Sequence, residues 1–116
     1  MKSKFKEECM AKLINIFLDE ILTTIRKISE LLKDKTLDDF KSNYHVVENV
    51  IKYLNIISEA ARHVPDEVKQ EFSGIPWEEL INLRNIENNP EHINLVWNIA
   101  TNKLTEISAI IEEVLN

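Results

Sequence analysis

The chain has 116 residues, 44% hydrophobic and 29% charged, a globular balance with enough length for one hydrophobic core. One glycine and three prolines leave few places for tight turns, which excludes all-β and Rossmann-like folds and predicts an all-α one. A net charge of −6 excludes a general basic face, so any contact with RNA has to be a small local site or one assembled from two chains.

The opening MKSKFKEECMAKL is interrupted by charges every few residues. It reads neither as a signal peptide nor as a membrane span, and a cytoplasmic protein is expected. The single Cys9 cannot form an intrachain disulfide. It lies among apolar helical positions and is expected to be a small buried residue.

Lys4 to about Lys33 is predicted as the first long helix. Met10, Leu13, Ile14, Phe17, Leu18, Ile21, Leu22, Ile25, Ile28 and Leu32 recur at helical spacing and cover roughly half the circumference at about 100° per residue. That arc is wider than one contact needs and predicts several packing neighbours or a second subunit. Asp34-Lys35-Thr36 is a break, with Thr36 and Asp39 placed to cap a short helix carrying Leu37 and Phe40. Asn43 is the expected cap of a second long helix to about Val64, ended by Pro65. Val46, Val47, Val50, Ile51, Leu54, Ile57, Ala60, Ala61 and Val64 form its apolar face.

Asp66 to Phe72 reads as one or two helical turns, and Ser73-Gly74-Ile75 as a turn. Pro76 suits the first position of the next helix, which carries Trp77, Leu80, Ile81, Leu83 and Arg84. Asn89-Pro90 reads as a cap and first position of a last helix running to the C-terminus, with Ile93, Val96, Trp97, Ala100, Leu104, Ile107, Ile111, Val114 and Leu115 inward. No repeat or linker divides the chain, so residues 1–116 are expected to form a single antiparallel bundle of three to five helices.

One glycine excludes a phosphate-binding loop and a nucleophile elbow. His45, His63 and His92 are scattered, without metal-ligand spacing, so neither a metal nor a cofactor is expected. Asp38-Asp39 and Glu78-Glu79 read as solvated helix faces.

The stretch IPWEELINLRNIENNPEHINLVW is more informative. Arg84 and Asn85 fall near the end of one amphipathic helix, where its dipole favours a cation, and His92 near the start of the next, where imidazolium is disfavoured. A neutral imidazole can take a proton, and a guanidinium can stabilise a phosphorane-like transition state. Together they could cleave RNA through its own 2′-hydroxyl. The plainer alternative has Arg84 pairing with Glu87 or capping carbonyls, and His92 on the surface.

YLNIISEAARHVPDEVKQEF, then IPWEELINLRN, then INLVWNIATNKLTEI, resembles the HepT-like branch of the HEPN superfamily over roughly residues 43–115. Ser58-Glu59-Ala60 is similar to the family's usual GEA, with serine for glycine. The resemblance implies a helical homodimer, a metal-independent RNA endonuclease used as a toxin, and a minimal nucleotidyltransferase (MNT-type) antitoxin as partner. It also implies a cleft at the dimer interface built from the RN pair, a following histidine and a tyrosine two positions on.

Here the chain departs from the pattern. Arg84 and Asn85 are kept, but the histidine position holds Asn89 and the tyrosine position Glu91. Seven residues separate Arg84 from His92, more than the family's spacing, and Pro90 interrupts the helix that the motif would occupy. Tyr44 and Tyr53 lie well upstream. A weakened nuclease, one that uses His92 in a rearranged loop, and an inactive helical dimer that binds a nucleotidyltransferase all remain open. So does an unrelated helical adaptor.

Overall fold

A computed structural model describes residues 4–86 and 90–115, with every element among them helical. Helix α1 is Lys4–Leu32. Its buried row of Ile14, Leu18, Ile21, Ile25, Ile28 and Leu32 steps by alternate threes and fours along one face. Asp34 then takes a left-handed φ of 62° and turns the chain out of the helix, a conformation that aspartate tolerates better than most side chains.

The short α2, Leu37–Lys41, begins on a reciprocal cap: Asp39 N donates to Thr36 Oγ1 at 3.1 Å, and Thr36 N to Asp39 Oδ2 at 3.0 Å. Asn43 caps α3, Tyr44–Arg62, through its Oδ1 and Val46 N at 3.3 Å. Both caps are where the sequence places them. The apolar positions of α3 are buried apart from the half-buried Ile51.

Helices α1 and α3 pack antiparallel. Lys27 and Leu31 lie beside Tyr53 at one end of a shared face, while Phe17 and Glu20 lie beside Ile56, Ala60 and His63 further along. This register carries the first two turns of α1 past the end of α3. Cys9, expected to be buried, is exposed for that reason, having no helix to pack against. The expected inward position of Met10 lies outside the described side chains.

Helix α4, Asp66–Glu71, follows Pro65, and Trp77 Nε1 donates to Phe72 O at 3.1 Å to close the turn before α5, Trp77–Asn82. Pro76 stands just ahead of α5 rather than as its first residue. A 3₁₀ turn, Leu83–Asn85, continues α5, and another, Pro90–His92, leads into α6, Ile93–Asn98. The expected cap at Asn89 lies outside the described residues.

The last helix is not uniform. A π turn, Ile99–Lys103, joins α6 to α7, Leu104–Leu115. Thr101 Oγ1 bonds back to Trp97 O at 2.8 Å there, the kind of side-chain competition that loosens a regular ladder. Trp97 lies 5.3 Å from Phe40 near the end of α1, and Glu112 lies 3.7 Å from Arg26, so this segment runs antiparallel to α1. Val96, Ala100, Leu104, Ile107 and Ile111 close the core. No helix among the described residues is long and apolar enough to cross a membrane.

Candidate active site

The Leu83–Asn85 turn presents its three side chains unequally. Leu83 is buried, whereas Arg84 and Asn85 are exposed. A tight turn at a helix end therefore anchors one residue in the core and projects the next two outward. The turn packs on α3, and Ser58 supplies the tether: this fully buried serine donates from Oγ to Ile81 O. That carbonyl belongs to the last turn of α5, where the helix has no partner of its own to offer.

The serine that stands for the family-like glycine thus makes a bond that glycine cannot. Ser58→Ala should cost about 1–2 kcal/mol of stability in urea unfolding, because it leaves a carbonyl without its donor. Ser58→Gly should cost about 1 kcal/mol more, from the helix propensity of glycine.

The residue after Ser58 opens a charged cluster. Glu59 Oε1 accepts from Arg62 Nη2 at 2.5 Å and lies 3.7 Å from His63 Nε2. The Arg62 hydrogen bond, then the charges of Arg62, His63 and Arg84, hold the Glu59 carboxyl below its ordinary value against a smaller effect of desolvation. Glu59 is therefore ionised at neutral pH, and the positive field of Arg84 reaches it. Phe17, Glu20, Ile56, Glu59, Ala60 and His63 line a groove of about 540 Å³ between α1 and α3. On the other side of α5 a more apolar groove includes Leu83, Ile86, Leu95 and Ile99, with Lys103 Nζ 3.3 Å from Glu79 Oε2 at its rim.

His92 stands apart from this cluster. It is half-buried at the N-terminal boundary of α6, and its Nδ1 is buried with no hydrogen-bond partner among the described residues. No hydrogen bond among those residues links it to Arg84 or Asn85. The structure thus brings together Arg84 and Asn85, as expected from adjacency, and adds Ser58, Glu59 and His63, which sequence reasoning passed over. The SEA stretch was the available signal for the first two. The i to i+4 spacing of Glu59 and His63 was the signal for the third.

A family profile described as Ribonuclease HepT-like matches residues 21–114. The chain belongs to the HepT-like ribonuclease family. It is 39% identical over 77 residues to a gamma-glutamylcyclotransferase and candidate RNase of Methanocaldococcus jannaschii, a match covering 66% of this chain and 35% of that protein. A candidate RNase of the same organism is 34% identical over 73 residues, covering 63% of this chain and 67% of the other. A candidate ribonuclease HepT of Thermococcus cleftensis is 31% identical over 68 residues, covering 59% of this chain and 62% of its own length. The chain thus spans only about a third of the first relative. No solved structure matches it. The LRN turn, the SEA stretch and the two helices that carry them all fall within the span that the HepT-like family shares.

Proposed function

We propose that this chain is the toxin component of a toxin–antitoxin system, an RNA endonuclease acting in the cytoplasm from a site that two copies build together. Residues 1–116 form one HEPN-like unit in this reading. Arg84 binds the scissile phosphate and stabilises the charge of its transition state, Asn85 orients the same phosphate, and a histidine takes the proton of the 2′-hydroxyl. His92 is the histidine that follows in sequence. No metal or cofactor is required, because the substrate supplies its own nucleophile. The observation that carries the reading is an exposed Arg84-Asn85 pair on a turn anchored to α3, in a member of a ribonuclease family. The partner is an MNT-type nucleotidyltransferase antitoxin.

The dimer has support in exposed apolar surface. Leu13 is 40% exposed, Ile16 63% and Ile56 37%, and Leu13, Ile16 and Phe17 share one stripe of α1 at helical spacing. Phe17 and Ile56 also line the groove that holds Glu59 and His63. A second copy seated on this face would bring the charged cluster to the interface. Ile16→Asp should convert the dimer to monomer in multi-angle light scattering while leaving helicity unchanged. A monomeric parent chain at micromolar concentration would remove the dimer.

The test of the activity is total RNA from cells expressing the chain, with and without a neighbouring small nucleotidyltransferase. Cleavage fragments are expected without the partner, and none with Arg84→Ala. A second reading is favoured by Asn89 and Glu91 standing where the family resemblance expects histidine and tyrosine. In that reading the chain is an inactive helical dimer that holds the nucleotidyltransferase. It predicts a tight complex and intact RNA.

A further inference from the structure

We propose that His63, at the C-terminal end of α3, is the proton acceptor for RNA cleavage and works beside Arg84 in place of the motif histidine. This inference rests on the ribonuclease reading above. The ring geometry carries it. His63 Nδ1 lies 2.9 Å from Glu59 O, and a carbonyl oxygen can only accept, so Nδ1 holds the proton. The lone pair of the neutral ring is then on Nε2. A backbone carbonyl fixing one ring nitrogen so that the other serves as base is a recurrent way of setting a histidine tautomer.

The surroundings suit the charge that the ring acquires. Nε2 lies 3.7 Å from Glu59 Oε1, and His63 is the C-cap of α3, where the helix dipole presents its negative end. Both features stabilise an imidazolium formed during the reaction. His92 has neither: its Nδ1 is buried without a partner among the described residues, at the opposite pole of a helix. The Ser58–Ile81 bond and the packing of the Leu83–Asn85 turn on α3 hold Arg84 over the same stretch of helix that carries Glu59 and His63. His63 and Glu59 open onto the groove between α1 and α3, also lined by Glu20, and both side chains are exposed to an incoming strand.

In the step itself, His63 Nε2 removes the proton of a 2′-hydroxyl, and that oxygen attacks the adjacent phosphorus. Arg84 stabilises the negative charge that builds on the equatorial oxygens. The bond from phosphorus to the 5′-oxygen breaks, and that oxygen keeps the electron pair and takes a proton from water. The imidazolium returns its proton to the hydroxide so formed. The products are a 2′,3′-cyclic phosphate and a 5′-hydroxyl, with no net change in the enzyme.

The experiment measures kcat and KM of the full chain on a fluorescent mixed-sequence RNA, with circular dichroism on every variant. His63→Asn keeps a donor at the helix end but lacks a basic nitrogen, and it is expected to lower kcat about 100-fold with KM within a few-fold. His63→Ala is expected to lose as much and to regain part of the rate with added imidazole, which a purely structural role would not produce. Wild-type turnover in His63→Asn, with Arg84→Ala inactive, overturns the role of His63 and leaves the ribonuclease reading intact. Loss in His92→Ala with His63→Asn unaffected does the same and returns the role to His92. Intact RNA with the parent chain itself overturns both.

Discussion

Arg84→Ala is expected to lower the rate of RNA cleavage by about 100-fold to 1,000-fold, the usual loss when a group that stabilises transition-state charge is removed. The fold should not change, because the Arg84 side chain is exposed and its turn is held by Leu83 and by the Ser58–Ile81 bond. Arg84→Lys separates charge from shape. A lysine keeps the positive charge but loses the planar fork that engages two phosphate oxygens at once, so an intermediate rate is expected. Full activity in Arg84→Ala, measured by fragment accumulation on a gel, would show that the turn is scaffold rather than chemistry.

The second large effect concerns stability. Phe40 is completely buried although its helix has only five residues, and its ring lies 5.3 Å from that of Trp97 at a tilt of 44°. It is the side chain by which α2 meets α6 and joins the return segment to the two long helices. Phe40→Ala should cost about 3–5 kcal/mol, combining lost burial with a cavity that a short capped helix cannot collapse to fill. Losing the aromatic contact adds about 1 kcal/mol. Urea unfolding followed by tryptophan fluorescence measures it, and a loss under about 1 kcal/mol would mean that α2 is a peripheral patch.

Much of the scaffold is legible in the sequence because its signals are local. Thr36 with Asp39, and Asn43 alone, mark helix starts through hydrogen bonds spanning three residues, and Pro65 marks a helix end in one. The buried rows of α1 and α3 follow from helical period alone. Cys9 shows where that reasoning stops: period says which face is apolar, but not whether a neighbour extends far enough to cover it. Leu13 and Ile16 are exposed for the same reason of register. The π turn was equally hidden, since Thr101 is an ordinary helical residue until its hydroxyl bonds back to Trp97.

The candidate site divides along the same line. Arg84 and Asn85 are adjacent, and their exposed position at a helix end could be read from pattern. Glu59 and His63 lie more than twenty residues upstream and reach the same neighbourhood only because α5 packs across α3. Ser58 carries that meeting, and no periodicity distinguishes a serine that bonds Ile81 from one that faces solvent.

The wide turn at Ile99–Lys103 has a consequence for sequence length. Such a turn takes up one residue more than a regular helical turn, so the chain holds a spare amino acid between its two inward-facing stretches. Deleting Asn102, which is exposed, would let the backbone relax to the ordinary pitch with Ala100 and Leu104 still directed inward. An equivalent deletion in the middle of α3 has no such slack and would swing half of its apolar row toward water. Relatives that differ by a single residue near this point can therefore share one architecture without compensating changes elsewhere.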